Sequence, residues 1–277
     1  MRFFARLSVT LSALTLGAIL VFLGWFASPL PGSGEGATLM SLRWDPSAGI
    51  YGLVPMMVGT LGIALMAALL GGVLALGIAL GLEAMPRGQR RESLYRTLMV
   101  FGSVPTVVYG LVGALVLIPW VRSVWTESSG MSLIAAGAML SLVITPTMAL
   151  FFYDSLRSAP VSYRQIVAAL GGERIQYQLR ILLPYRWRSL LSGWVLGLGR
   201  ALGDTMIALM LSGNAVQIPH HPGDAVRTLT AHIGLLFAGD FDSPAFRSIF
   251  ASGLILFGLT IVVLGIAQGL RRGDATQ

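Results

Sequence analysis

Six apolar runs, each long enough to cross a bilayer, constrain this chain more than any other feature. A helix needs about 20 predominantly apolar residues to span ~30 Å of hydrocarbon. Such runs fall at about 9–29, 54–82, 97–120, 131–153, 189–211 and 249–270. The first, "VTLSALTLGAILVFLGWFASP", follows Arg2 and Arg6 as a secretion signal would. Its apolar stretch is longer than the ~7–15 residues of a signal peptide, so it reads as an uncleaved span. The second is long enough to tilt. Composition agrees: 55% of the 277 residues are hydrophobic and 11% charged, where a soluble domain carries roughly 25% charged residues. The expected fold is all-α, one polytopic membrane domain over 1–277 with six transmembrane helices.

The basic residues orient the spans. All 19 are Arg. Arg2, Arg6, Arg87, Arg90, Arg91, Arg96, Arg157, Arg164, Arg174, Arg180, Arg186, Arg188, Arg271 and Arg272 fall on one side of the six-span scheme. Arg43, Arg122, Arg227 and Arg247 fall on the other. Positive-inside bias then places both termini, and the long loop at about 154–188, in the cytoplasm. A pI near 10.5 raises the question of nucleic acid, but arginines in short loops between apolar runs fit membrane topology, and no nucleic-acid partner is expected. The chain has no cysteine, which removes disulfides, thiolate metal sites and cysteine nucleophiles.

Gly77/Gly81, Gly193/Gly197, Gly199/Gly203 and Gly265/Gly269 recur at helical spacing. Such pairs let helices approach closely and read as intramolecular packing faces. Pro105 and Pro146 are expected to kink or interrupt their helices. The Gly-rich "PLPGSGEGA" at 29–37 follows no strand and falls on the outer side, so it is a loop and not a phosphate cradle. No G-x-x-x-x-G-K-[ST] run is present; if ATP is used, another chain binds it.

Within the long loop, "SAPVSYRQIVAALGG" reads as a short helix. Ser158 and Pro160 mark its start and Gly171–Gly172 its end. Ile166, Val167, Ala169 and Leu170 give it an apolar strip. A short exposed helix is weak alone and needs a surface to lie against. The loop resembles the cytoplasmic motif E-A-A-x3-G-x9-I-x-L-P of inner-membrane permeases of ATP-binding-cassette importers. Gly171, Ile181, Leu183 and Pro184 fill its last four fixed positions at matching spacing, while Gln165, Ile166 and Val167 replace the opening triplet. The resemblance implies a type I importer permease fold and a helix that docks on an ATPase subunit through Gln165, Gly171, Ile181, Leu183 and Pro184. ATP and magnesium would then belong to that ATPase, and this chain would hold no cofactor or metal.

The fifth run, "LGLGRALGDTMIALMLSGN", is similar to the "GRALGETMAV…GN" segment of phosphate importer permeases of the PstC type. "YGLVPMMVGTL" and "SVPTVVYGLVG" also resemble that family, at similar places along the chain. Asp204 stands where the family has Glu. Sulfate and molybdate permeases carry a related "RALGE", often followed by "FGA", which is absent here. The resemblance implies a sister permease of the PstA type, an ATPase dimer of the PstB type and a periplasmic phosphate-binding protein of the PstS type. It also implies a substrate pathway through Arg200, Asp204, Thr205 and Tyr109. A permease for another oxyanion (molybdate, tungstate or sulfate) is the alternative.

The charges themselves support a pathway. A central Arg or Asp costs ~2.5–3.5 kcal/mol on insertion scales and usually faces a bundle interior or a wet cavity. At i and i+4 of one helix, Arg200 and Asp204 share a face, and the planar fork of Arg200 suits an oxyanion. Asp204 is expected to hold that fork when substrate is absent. A static internal ion pair is the bland alternative. An intramembrane enzyme using Asp204 is a distant one, because the chain has no HExxH, Ser/His pair or paired intramembrane carboxylates. His220, His221 and His232 are expected in an ordinary polar outer loop, and "VRTLTAHIGLLFAG" reads as an interfacial or re-entrant helix.

Overall fold

The computed structural model describes residues 2–27, 39–86, 88–125, 128–237, 239 and 243–274. The Gly-rich segment 29–37 lies outside them. Among the described residues the regular structure is helical apart from one two-stranded hairpin, β1 (Trp44–Asp45) antiparallel to β2 (Ile50–Tyr51), and one isolated bridge between Gly213 and Val226. In chain order the helices are α1 (Arg2–Ala27), α2 (Val54–Ala84), α3 (Gln89–Ser103), α4 (Thr106–Val112), α5 (Ile118–Val124), α6 (Leu133–Arg157), α7 (Val161–Ala169), α8 (Arg174–Tyr177), α9 (Leu183–Leu202), α10 (Met206–Leu211), α11 (Leu229–Leu236) and α12 (Pro244–Asp274). Among the described residues, five segments are long and apolar enough to cross a membrane: Arg6–Ala27, Val54–Ala84, Thr106–Val124, Leu133–Arg157 and Ala245–Leu270.

Two expected spans differ from this set, each for a local reason. The run at 97–120 is split. Pro105 has no N–H and forces Val104 into an extended conformation (φ −65°, ψ 131°). The chain therefore ends α3 and starts α4, and the crossing segment shifts to Thr106–Val124. The run at 189–211 is also not one helix: α9 stops at Leu202 and α10 begins at Met206. Pro146, by contrast, lies inside an unbroken α6.

Two π turns, Gly113–Leu117 and Gln178–Leu182, each precede a proline at the second position of the next helix, Pro119 and Pro184. A proline cannot donate to the carbonyl four residues back. The preceding N–H instead reaches five residues back: Ile118 donates to the Gly113 carbonyl and Leu183 to the Gln178 carbonyl.

The core forms where α2 lies along α6, with α9 against both and α12 against α9. Small residues permit this. A Cβ on Gly137 would strike Met66, on Gly193 Phe151, and on Gly197 Met148. Of the expected glycine faces, Gly193/Gly197 is thus a tight seam. Gly199 sits at ordinary contact distance from Val263, Gly203 has no close neighbour, and Gly77, Gly81, Gly265 and Gly269 meet nothing within 4 Å. Ile144, Met148, Leu140 and Leu202 are fully enclosed. Polar side chains inside bond to the backbone: Trp194 Nε1 donates to the Ala68 carbonyl (2.8 Å) and Ser192 Oγ to the Ala267 carbonyl (3.1 Å). α1 rests on α12 through Phe22, Phe26 and Phe250.

Candidate functional site

Arg200 lies two residues before the end of α9. Its side chain is exposed on the surface of the chain, and its Nη1 donates to Thr147 Oγ1, near the middle of the spanning helix α6. A guanidinium at that depth costs ~2.5–3.5 kcal/mol if it meets hydrocarbon. This surface of the chain is therefore suited to a wet path or to another protein rather than to lipid.

Asp204 does not share a helical face with Arg200, because the helix has already ended. Gly203 weakens helix continuation, and an aspartate competes with the helix by binding backbone N–H groups at a helix start. The Asp204 carboxylate accepts from the backbone N–H of Ile207 (2.9 Å) and so caps α10. Among the described residues the ion pairs within 4 Å are Arg43–Asp45, Arg96–Glu92 and Arg174–Glu83; Arg200–Asp204 is not one of them. The expected resting pair is corrected accordingly. Arg200 is held by a neutral hydroxyl, and Asp204 holds the break.

The break is fastened from outside as well. Thr230 Oγ1, at the start of α11, donates to the Asp204 carbonyl (3.1 Å). Thr205 is half-buried, and its carbonyl accepts from Leu209 N–H (2.8 Å). α10 then stops at "SGN", where Gly213 (φ 80°) and Asn214 (φ 54°) both adopt left-handed backbone. Asn214 Nδ2 donates back to the Leu209 carbonyl (2.7 Å).

Tyr109 sits across the other break. Its hydroxyl donates to the Phe101 carbonyl at 3.0 Å. That carbonyl is the one Pro105 leaves without its helical donor. Tyr109 makes no hydrogen bond to Arg200, Asp204 or Thr205, but its segment does reach theirs. α4 packs on α10, with Gly110 against Met210 and Gly113 against Leu211 so closely that a Cβ at either glycine would clash. "PTVVYGLVG" and "DTMIALML" therefore form one seam. Thr147 and Thr230, the partners that position Arg200 and Asp204, escaped the sequence reading. Their only signal was a threonine following Pro146 in an apolar run and another inside the outer segment.

The loop helix expected from Ser158 to Gly172 is α7, with Pro160 at its N-cap. Gly171 takes φ 73°, the left-handed geometry that ends a helix at little cost for glycine. Tyr163 and Val167 face the bundle, while Val161, Ile166 and Leu170 are exposed, Leu170 at 82%. Gln165 is exposed on the same helix. Ile181 lies in the second π turn; Leu183 and Pro184 open α9. The segment "VRTLTAHIGLLFAG" contains a helix, α11. His220 and His221 are exposed, and both backbone N–H groups donate to Asp224 Oδ2 (2.7 and 2.9 Å), which holds the Asp224 carboxyl below its usual range. His232 departs from expectation. It is fully buried, edge-on to Trp44 at 4.6 Å, with Nε2 2.9 Å from Ser248 Oγ.

A bundle with five helical segments long and apolar enough to cross a membrane, a short exposed loop helix and an interrupted, charge-bearing apolar run defines a polytopic membrane protein. The chain belongs to the family of binding-protein-dependent transport system inner membrane components, whose model matches residues 71–272. Its curated relatives are transporter permeases rather than enzymes. The probable ABC transporter permease protein YqgH of Bacillus subtilis is 29% identical over 82% of this chain and 74% of its own length. The phosphate transport system permease protein PstC of Xylella fastidiosa is 28% identical over 82% of this chain and 76% of its own. Among solved structures, an inward-facing MetNI methionine ABC transporter aligns with a TM-score of 0.63 at 19% identity, over 84% of this chain and 99% of that one. A bacterial alginate ABC transporter aligns with a TM-score of 0.62 at 14% identity, over 100% and 99%. At those identities the likeness shows the type I importer permease fold.

Proposed function

We propose that the chain is one permease half of an ATP-driven phosphate importer in a bacterial inner membrane, with both termini and α7 in the cytoplasm. The observation that carries this reading is Arg200, an exposed guanidinium at mid-span depth whose partner among the described residues is the Thr147 hydroxyl. A phosphate offers that fork two ionised acceptor oxygens in place of one neutral hydroxyl. Because Asp204 is occupied as a cap, it acts on the anion through its field and not by competing for the guanidinium. A negative charge nearby weakens net binding, which favours release over trapping. The similarity to phosphate permeases of the PstC type supports phosphate as the oxyanion.

In this reading a sister permease covers the Arg200 face and a periplasmic phosphate-binding protein meets the outer segment between α10 and α12. An ATPase subunit, one of a dimer carrying ATP and magnesium, receives the apolar residues Val161, Ile166 and Leu170 of α7. Gly171 turns the chain so that Ile181, Leu183 and Pro184 carry movement of α7 directly into α9, and so to Arg200. The test is uptake of radiolabelled phosphate in cells lacking other phosphate importers, normalised to complex recovered from membranes. Arg200→Gln should lower uptake by ~10–100-fold, the worth of a charged hydrogen bond, while the complex still assembles. Wild-type uptake would return Arg200 to a purely structural role.

A further inference from the structure

Between α7 and the facing ends of α2, α3 and α6 lies a cavity of about 560 Å³, well within the range of small-molecule sites. Four arginines line it: Arg91 from α3, Arg157 from α6, Arg164 from α7 and Arg174 from α8. One carboxylate, Glu83 near the end of α2, joins them. That carboxylate is already engaged: Gln178 Nε2 donates to Oε2 at 2.6 Å, and Arg174 Nη2 lies 3.8 Å from Oε1. Arg91 has a neutral partner, donating to the Tyr153 hydroxyl and lying 5.1 Å from that ring's centre. Among the described residues no carboxylate lies within 4 Å of Arg91, Arg157 or Arg164. Arg174 Nε is buried and has no acceptor.

Cations gathered from four elements around one half-open cavity repel each other. An anion would offset that repulsion. Guanidinium forks match a phosphate group in shape and charge. We propose that this cavity binds a phosphate group, presented by free inorganic phosphate or by an anionic lipid headgroup. Bound there, the group ties Arg164 of α7 to Arg91 and Arg157 of the bundle and so fixes how α7 is presented. The binding rests on the cavity alone; its effect on α7 rests on the reading of that helix as the ATPase contact.

The test uses the whole importer complex, purified with its ATPase chains into nanodiscs of phosphatidylcholine with or without phosphatidylglycerol. Equilibrium binding of radiolabelled inorganic phosphate is measured for wild type, for Arg200→Gln, and for Arg157→Gln combined with Arg164→Gln. Binding that persists in Arg200→Gln and weakens at least about tenfold in the double variant supports the site. If that binding is equal in both kinds of disc, free phosphate is the occupant. If phosphatidylglycerol displaces it in wild type but not in the double variant, the headgroup is. Identical binding in wild type and double variant, or none beyond what Arg200→Gln removes, overturns the proposal. Failure of the importer reading would show instead as unaltered uptake in Arg200→Gln.

Discussion

The chain interrupts two of its expected apolar runs, at Val104–Pro105 and at Gly203–Thr205, and it does so by opposite means. At the first break the covalent structure decides. Pro105 cannot continue α3, and the Tyr109 hydroxyl tidies up the carbonyl left over. At the second nothing forbids a helix. Gly203 has ordinary right-handed geometry (φ −90°, ψ −4°), and the interruption is held by the Asp204 carboxylate and the Thr230 hydroxyl. One break is compulsory and the other is maintained by hydrogen bonds that can be released. The maintained one carries the arginine. If α7 drives the Arg200 segment as proposed, that segment is better served by an interruption that side chains can adjust.

The seam between the two breaks gives the largest expected effect. Gly110→Val places methyl groups where Met210 already lies. Overpacking of this kind costs about 1–3 kcal/mol. Thermal melting of the purified complex should shift down, and uptake should fall with it because α10 moves away from α4. An unchanged melting curve with full uptake would mean the two breaks do not depend on each other.

The second test separates cap from charge at Asp204. Asp204→Ala should lower stability by about 1 kcal/mol, the usual loss of an N-cap side chain. Asp204→Asn caps about as well and should melt near wild type while binding phosphate more tightly and releasing it more slowly. Matching losses of stability in Ala and Asn would show that the charge, and not the cap, maintains the break. The smallest effect is expected at the compulsory break. Tyr109→Phe removes one hydrogen bond, worth about 0.5–1.5 kcal/mol. The loss should fall at the low end because Val104 N–H also reaches the Phe101 carbonyl, at 3.4 Å. A large drop in uptake at unchanged stability would instead give Tyr109 a direct part in the pathway.

These contrasts mark what a sequence can reveal. The runs at 54–82 and 131–153 became Val54–Ala84 and Leu133–Arg157 almost without adjustment, because long apolar segments have one stable arrangement in a bilayer. The start of α3 was hidden because Arg90, Arg91 and Arg96 make it resemble a loop, although Arg96 pairs with Glu92 one turn away along a helix. The stop at Leu202 has local causes in Gly203 and Asp204, and the Thr230 hydroxyl that also fastens it lies far along the chain. Spacing places Gly77 with Gly81 and Gly193 with Gly197 alike, yet of the two pairs only the second meets a neighbour among the described residues; periodicity says which residues share a face, not what lies opposite. His232 reads as one polar residue in an outer loop. Its burial follows from Trp44 and Ser248, which only the fold brings to it. Arg200 was legible for the opposite reason: its cost in a membrane is a property of the residue itself.

The two π turns bear on how a chain of this kind can change in length. Losing or gaining a residue inside an ordinary helix rotates everything beyond it by about 100°, which would turn a packed face toward lipid. A π turn already holds the one surplus residue that such a shift requires. Deletion of a single residue within Gly113–Leu117 or Gln178–Leu182, together with replacement of the proline that follows, would return the turn to regular winding and leave the faces on either side in phase. One of these turns stands between α4 and α5, and the other between α7 and α9. Among the described residues they are two joints at which a helix already carries the extra residue that a one-residue change in length would use.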